Sequence, residues 1–125
     1  RRGSILVDRR SEASRKDSYR SMRWVLETSM HMCIYPEGTR NRTGNPLKDF
    51  HDGAFRLAAD TGKPIMPTVI IGTDKVLPHD KTFWFWPSKM EMHFLEPVVM
   101  TGEDNATTLK KMVFRAMWDH IEKFS

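Results

Sequence analysis

A short stretch that combines an acid, a glycine and a base is the part of this sequence best suited to chemistry. It reads Tyr35-Pro36-Glu37-Gly38-Thr39-Arg40 and follows the apolar run Met32-Cys33-Ile34. Pro36 has no N–H to give to a strand ladder, and Gly38 lets the backbone turn close to a ligand. Arg40 offers a planar fork of donors that matches a phosphate group. The hexapeptide therefore predicts an anion-binding loop at the end of a strand.

Two further segments, one upstream and one downstream of the hexapeptide, each contain a predicted apolar strand. Upstream lies Gly3-Ser4-Ile5-Leu6-Val7-Asp8-Arg9-Arg10, in which two arginines follow an apolar run. Downstream lies Gly62-Lys63-Pro64-Ile65-Met66-Pro67-Thr68-Val69-Ile70, a helix stop followed by a strand. In this order and at this spacing, the three segments resemble the second, third and fourth sequence blocks of the glycerolipid acyltransferase family. The best-known members of that family acylate lysophosphatidic acid, and the resemblance extends to about Ile71.

The resemblance implies a binding site for the acyl acceptor that is made of two arginines and one acid. Arg9 and Arg40 would hold the acceptor's phosphate through charge-assisted bidentate contacts, and Arg10 is a second candidate for the role of Arg9. Glu37 matches a carboxylate that accepts hydrogen bonds from the glycerol hydroxyls of the acceptor. An ionised carboxylate between two arginines should stay ionised, so its role is to orient the acceptor.

The resemblance also implies a catalytic base that this sequence does not contain. Family members carry it in an earlier block, as a His followed after four residues by an Asp, and none of the five histidines here has Asp at that position. Gly38 and Thr39 would complete the loop, where a backbone N–H could serve the developing oxyanion. We expect residues 1–125 to be the carboxyl-terminal part of a single acyltransferase domain. Without the base, which contributes roughly 10²–10⁴-fold, the chain should have little or no transferase activity.

The implied parent protein is a membrane-associated acyltransferase of phospholipid synthesis, at the cytoplasmic face of the membrane. It would move a fatty acyl group from acyl-CoA or acyl carrier protein to 1-acylglycerol 3-phosphate, with no cofactor and no metal. Glycerol 3-phosphate or another lysophospholipid as the acceptor is an open alternative. So is a non-catalytic domain that binds lipids or anions.

The positive charge of the chain is concentrated near its amino terminus. The net charge is +4, and residues 1–24 hold eight Lys or Arg against three Asp or Glu, which leaves the remainder slightly acidic. This patch suits an anionic phospholipid headgroup or membrane surface, or it is simply a solvated helix face. A nucleic-acid-binding module is the weaker hypothesis, because the cations are not interleaved with the tryptophans.

The periodicity of the sequence predicts an α/β fold around these loops. Ile5 to Val7 and His31 to Tyr35 indicate strands on either side of an amphipathic helix that begins at Ser11 or Ser14. A second helix, capped by Asp52 and stopped by Gly62, leads into the strand that contains Pro64 and Pro67. We expect one layered domain with a mostly parallel mixed sheet flanked by helices, incomplete on its amino-terminal side. If a central strand is missing, the isolated chain should expose apolar surface and associate with itself.

The carboxyl-terminal part predicts a hairpin followed by a long helix. Phe83 to Trp86 and Met90 to Phe94 indicate two strands joined by a Pro-Ser-Lys turn. The first of them either packs rings into the core, or lines an acyl-chain groove or the membrane interface. Apolar residues at helical spacing from Leu109 to Phe124 indicate a core helix in preference to a membrane anchor.

Two single residues need a separate interpretation. Cys33 is predicted to be a small core residue, since no sequence neighbour would activate it as a nucleophile. His51 stands where relatives usually have a lysine, and it either replaces that cation weakly or lies in a loop or helix cap. His31, His79, His93 and His120 show no spacing typical of metal ligands.

Overall fold

The computed structural model describes residues 5, 8, 10–78, 80–82, 85–101 and 105–124. In this part of the chain the elements are α1 (Glu12–Glu27), α2 (Gly53–Thr61), β1 (Thr68–Ile71), α3 (Thr73–Val76), β2 (Glu91–Phe94) and α4 (Ala106–Phe124). Helices α2 and α4 and strand β1 contribute to one core, and α1 packs against α2.

Helix α1 confirms the predicted amphipathic helix and its cap. The Ser11 side chain accepts a hydrogen bond from the Ser14 N–H at 3.2 Å, which satisfies a donor that the first turn would leave free. Further along the helix, the Tyr19 hydroxyl donates to the Asp60 carboxylate near the end of α2. Burial, and then this bond, raises the pKa of Tyr19 to about 12. The contact fixes α1 onto α2.

Helix α2 ends as predicted but begins without the predicted cap bond. Gly62 follows its last residue with φ +67°, the left-handed conformation that glycine adopts at low cost. Asp52 occupies the N-cap position, yet its side chain makes no cap hydrogen bond. Its carboxylate instead accepts from the Lys110 ammonium at 2.7 Å, and this bond lowers the pKa of Asp52. The predicted cap residue therefore joins α2 to α4.

The sheet found among the described residues is an antiparallel pair, β1 with β2. In its register Val69 lies opposite His93 and Ile70 lies opposite Met92. The predicted strand from His31 to Tyr35 is wrong, because residues 31–35 are not in a strand. A strand needs a pairing partner, and among the described residues none pairs with this segment, whose Tyr35 is 74% exposed. Of the upstream predicted strand, Ile5 to Val7, residues 6 and 7 lie outside the described residues.

The predicted hairpin also pairs differently. Residues 83 and 84 lie outside the described residues, and Phe85 and Trp86 are not in a strand. Strand β2 pairs with β1 instead, so its partner comes from earlier in the chain. Pro87 directly follows Trp86 and cannot donate to a ladder, which weakens pairing at that point. The alternative in which these rings pack into the core is wrong for the two described aromatics, since Phe85 is 75% exposed and Trp86 is 59% exposed.

Helix α4 confirms the predicted carboxyl-terminal core helix. Leu109, Val113 and Met117 recur every four residues, so they lie on one face, and all three are buried. They pack with residues of α2 and β1 and with two anchors from the preceding loop, Leu47 and Phe50. Burial of this stripe identifies α4 as part of the core.

A polar relay also connects β2 to α4. The Lys89 ammonium lies 2.6 Å from Glu91 Oε1, and Glu91 Oε2 lies 2.9 Å from His93 Nε2. His93 Nδ1 in turn lies 2.7 Å from His120 Nε2 on α4. Hydrogen bonds from Lys89 and then His93 lower the pKa of Glu91 from 4.5 to about 2. The relay supplements the apolar contact between sheet and helix.

Candidate functional site

The segment 35–40 contains a tight turn, and two backbone hydrogen bonds hold its first residues. The Gly38 N–H donates to the Tyr35 carbonyl at 3.1 Å, and Gly38 has φ +67°, which explains glycine at this position. The His51 N–H donates to the Pro36 carbonyl at 2.8 Å. His51 is an exposed loop residue, and through its backbone it closes residues 36–51 into a loop.

The loop that follows the turn is organised by its own side chains. Asn41 Oδ1 accepts from the Thr43 N–H at 2.9 Å and from the Thr43 hydroxyl at 2.7 Å. The Asn41 amide donates to the Asn45 carbonyl at 2.8 Å, and the Thr43 hydroxyl accepts from the Asn45 N–H at 3.2 Å. These bonds shape residues 41–45 without an apolar anchor, which the chain provides only at Leu47 and Phe50.

A cationic cavity lies against this loop. It is open to solvent and has a volume of about 440 Å³. Its lining consists of three cationic residues and two hydroxyl residues: Thr39, Arg40, Arg42, Thr43 and Lys48. None of these five is an acid, so the lining offers only positive charge and neutral hydrogen-bonding groups. Such a surface suits an anion with several oxygens, as a phosphate has.

Lys48 links the cavity to the predicted acid. Its backbone N–H donates to Glu37 Oε2 at 2.9 Å, and its ammonium donates to the Thr39 hydroxyl at 2.7 Å. The first bond fixes the Glu37 carboxylate at the edge of the site. The second holds the ammonium beside the cavity without neutralising its charge.

Arg40 is positioned by a contact with a distant segment. One of its guanidinium nitrogens, Nη2, donates to the backbone carbonyl of Leu77, which follows α3. A guanidinium has five N–H donors in a fixed plane, so one bond of this kind orients the group and leaves donors for an anion. The contact also brings the segment after α3 next to the cavity.

The predicted site residues have four different outcomes. Thr39 and Arg40 line the cavity, whereas Glu37 and Gly38 form the turn beside it. Arg10 is exposed and does not line the cavity, and its N–H donates to Asp8 Oδ1 at 3.0 Å. Arg9 lies outside the described residues, so its predicted meeting with Arg40 stays a prediction.

Three lining residues were missed from the sequence: Arg42, Thr43 and Lys48. A usable signal was present, because three cations fall at positions 40, 42 and 48 of one loop rich in turn residues. The eight-residue separation of Lys48 from Arg40 hides the relationship, since only the folded loop brings them to one cavity. Cys33 is exposed, so its prediction as a core residue is wrong. It belongs to the segment that forms no strand and therefore has no sheet to be buried in.

A metal centre and a membrane span would each leave a recognisable arrangement among the described residues. No group of three or more His, Cys, Asp or Glu side chains there is arranged to hold a metal ion. None of the helices in this part of the chain has the length and apolar character of a bilayer-spanning segment.

Comparison with known proteins places this site within a family. The family model described as Acyltransferase matches residues 1–71, which include the turn and every residue that lines the cavity. The chain belongs to this acyltransferase family.

Relatives of this chain are named as acyltransferases of one kind. A 1-acyl-sn-glycerol-3-phosphate acyltransferase of Haemophilus influenzae is 30% identical over 111 residues, covering 86% of this chain and 44% of that protein. The chloroplastic 1-acyl-sn-glycerol-3-phosphate acyltransferase BAT2 of Brassica napus is 33% identical over 76 residues, covering 61% of this chain and 22% of that protein. The chain thus spans less than half the length of these relatives.

A solved structure has the same fold. The crystal structure of the 1-acyl-sn-glycerophosphate acyltransferase PlsC from Thermotoga maritima superimposes with a TM-score of 0.75 at 27% identity. The match covers 86% of this chain and 44% of that one. The helices and the antiparallel pair described above are therefore part of a PlsC-type acyltransferase fold.

Proposed function

We propose that this chain is the acceptor-binding part of an acyltransferase that forms phospholipids. The enzyme would transfer a fatty acyl group from acyl-CoA or acyl carrier protein to the free hydroxyl of 1-acylglycerol 3-phosphate. The observation that carries the proposal is the cavity with three cations and no acid in its lining. The names of the relatives support the choice of acceptor, since each of the two is a 1-acyl-sn-glycerol-3-phosphate acyltransferase.

In this proposal the chain binds and orients the acceptor. Arg40 contacts the phosphate with the donors that Leu77 leaves free, and Arg42 and Lys48 add charge from the same side. The Thr39 hydroxyl accepts from the Lys48 ammonium and keeps its own proton, which it donates to a phosphate oxygen, whereas the Thr43 hydroxyl already donates to Asn41. Holding the acceptor by its phosphate fixes the position of its glycerol hydroxyl, which converts a bimolecular encounter into a positioned reaction.

Glu37 takes the role of orienting the glycerol. One of its oxygens accepts the Lys48 N–H, which leaves the other available for an acceptor hydroxyl. The Gly38 N–H is engaged within the turn, so a backbone donor to the oxyanion is better sought at Thr39. The base that removes the hydroxyl proton is the His of the family's first block, expected before this part of the domain. The chain alone is accordingly proposed to be inactive as a transferase.

The remaining features of the parent protein are proposed on the resemblance to the family. Strands from the rest of the domain would complete a mostly parallel mixed sheet on the amino-terminal side. The parent protein would be membrane-associated at the cytoplasmic face. Its basic amino-terminal residues favour such a surface, with about 1 kcal/mol per Lys or Arg close to anionic lipid.

The test is a titration of the chain with glycerol 3-phosphate, monitored by NMR. Arg40→Ala and Arg42→Ala should each weaken binding roughly tenfold, because each removes charge-assisted hydrogen bonds. Arg115→Ala is the matched control, since Arg115 is exposed on α4 and does not line the cavity. Equal losses in all three variants, or no binding by the unaltered chain, would rule out the phosphate site.

The intact enzyme distinguishes acceptor binding from donor binding. There, Arg40→Ala should raise KM for 1-acylglycerol 3-phosphate far more than KM for acyl-CoA. Equal effects on both substrates would contradict a role in holding the phosphate. A protein that binds the acceptor but never releases CoA would instead support the non-catalytic lipid-binding alternative.

A further inference from the structure

Three exposed apolar residues lie in segments that hydrogen bonds to backbone carbonyls connect to Arg40 of the cationic cavity. Leu77 is 42% exposed, Phe85 is 75% exposed and Trp86 is 59% exposed. We call these three residues the apolar ledge. Two hydrogen bonds make this connection. The Leu77 carbonyl accepts from the Arg40 guanidinium, and the carbonyl of the preceding Val76 accepts from the Trp86 N–H at 3.1 Å.

The ledge rests on a well-packed support. Val76 is buried at 8% exposure, which holds the end of α3 in place. At the start of α3, the backbone of Lys89 approaches Gly72 so closely that a Cβ there would lie 2.5 Å from the Lys89 carbonyl oxygen. The segment that carries Phe85 and Trp86 is thus held at Trp86 and again at Lys89. Its aromatic side chains are exposed on a fixed backbone.

The cavity and the ledge differ sharply in chemistry. The cavity lining presents three cations, whereas the ledge has no charged side chain. Arg40 lies at the boundary, with its guanidinium bonded to the backbone of a ledge residue. A ligand that covers both must have a phosphate at one end and an apolar segment directly next to it. Large exposed apolar groups at such a place indicate a binding surface.

We propose that the apolar ledge binds the acyl chain of the monoacyl phospholipid whose phosphate occupies the cationic cavity. The inference rests on the proposed function and extends it from the headgroup to the tail. The negatively charged headgroup positions the lipid in the cationic cavity. The tail adds affinity by covering Leu77, Phe85 and Trp86. The occupant is a single chain, because the same molecule must satisfy both surfaces.

The experiment compares acceptors that differ only in their tail. Glycerol 3-phosphate and its hexanoyl, octanoyl and decanoyl monoesters are titrated below their micelle concentrations into the whole chain. Affinity should rise with each methylene, by up to roughly fourfold where the methylene is fully buried. In Phe85→Ser and in Trp86→Ser this rise should be much smaller, whereas the affinity for glycerol 3-phosphate should be unchanged. Phe94→Ser is the matched control, because Phe94 is a similarly exposed aromatic outside the ledge.

The outcomes separate the tail site from the headgroup site. A rise with chain length that is equal in the unaltered chain and both ledge variants overturns the ledge proposal and leaves the phosphate site standing. Absence of glycerol 3-phosphate binding overturns the proposed function itself. If the rise is absent and Trp86→Ser abolishes either self-association or adsorption to phosphatidylcholine vesicles, the ledge contacts a second copy or a bilayer, and the proposal is wrong. Circular dichroism confirms that each variant is folded.

Discussion

At the scale of single residues, the candidate site depends on side chains that each serve two purposes. Lys48 fixes Glu37 with its backbone N–H and supplies charge to the cavity with its ammonium. Arg40 is oriented by one donor and keeps the others for an anion. In Lys48 positioning comes from the backbone and charge from the side chain, so a substitution can remove the charge and keep the bond to Glu37.

Replacing Lys48 by Met separates these two contributions. The backbone bond to Glu37 is retained, so the stability of the fold should change by less than about 0.5 kcal/mol. Loss of the ammonium should weaken glycerol 3-phosphate binding roughly tenfold. Lys48→Arg should restore most of the affinity, and Lys111→Met, at an exposed lysine of α4, serves as the control. Unchanged binding in Lys48→Met would show that this ammonium does not contact the anion.

At the scale of elements, close backbone approach and polar contacts hold the sheet region together. Gly72 joins β1 to α3 at the point where the Lys89 backbone passes, and Gly72 has φ +92°. Strand β2 begins shortly after Lys89 and pairs with β1. The same strand is linked to α4 through Glu91, His93 and His120. Local sequence patterns do not predict the approach of Lys89 to Gly72, the pairing of β2 with β1 or the link from β2 to α4, because each joins residues far apart in sequence.

Gly72→Ala should destabilise the fold through steric overlap and backbone strain together. The new Cβ would lie 2.5 Å from the Lys89 carbonyl oxygen, and alanine disfavours this φ, so we expect a loss of about 2–3 kcal/mol in urea unfolding. Gly44→Ala isolates the strain, because Gly44 has φ +78° and nothing within 4 Å of the added Cβ. Its cost should be about 1 kcal/mol. Equal costs at the two positions would argue against the close approach of Lys89.

The relay from Lys89 to His120 predicts a loss of stability in acid. Because the folded-state pKa of Glu91 is depressed from 4.5 to about 2, the stabilising effect of its ionised form is fully present above pH 4.5. It is lost as the pH falls from 4.5 through about 2. Glu91→Gln removes this carboxylate, so the free energy of unfolding of the variant should depend less steeply on pH between 4.5 and about 2. Glu96→Gln, at an exposed glutamate just beyond β2, is the control, and urea unfolding across the pH series is the measurement. Parallel curves for the unaltered chain and Glu91→Gln would exclude a contribution from Glu91.

At the scale of the whole molecule, an apolar sheet surface is not covered by any of the described residues. One face of the β1–β2 pair carries Ile70, Met92 and Phe94, which are 40%, 56% and 67% exposed. The opposite face packs on the core through Val69. The chain covers 44% of the length of the Thermotoga maritima enzyme. We infer that other parts of the acyltransferase domain cover this face in the intact protein.

The isolated chain should therefore associate with itself through this sheet face. Sedimentation velocity at increasing concentration should show a rising average mass, because contact between copies removes apolar surface from water. Met92→Lys and Phe94→Lys should shift the association to higher concentration, whereas Met112→Lys, on the exposed side of α4, should not. A monomer at every concentration would contradict the inference.

The sequence by itself determined the features that depend on local chemistry. Periodicity and capping residues predicted α1, α2 and α4, because a helix satisfies its own backbone hydrogen bonds and its signals are contiguous. The Pro-Glu-Gly turn was likewise visible, since proline and glycine restrict or free the backbone where they occur. The resemblance of three segments was enough to indicate the acyltransferase family.

Tertiary structure decided everything that depends on a partner. The segment 31–35 has a strand-like composition but forms no strand, because a strand exists only where another strand pairs with it. For the same reason β2 pairs with β1, whereas the described residues Phe85 and Trp86 of the nearer aromatic run form no strand. Lys48 joins the cavity only because the loop closes between Pro36 and His51. Long-range pairing and loop closure depend on the free energy of the whole fold, so local sequence patterns do not predict them.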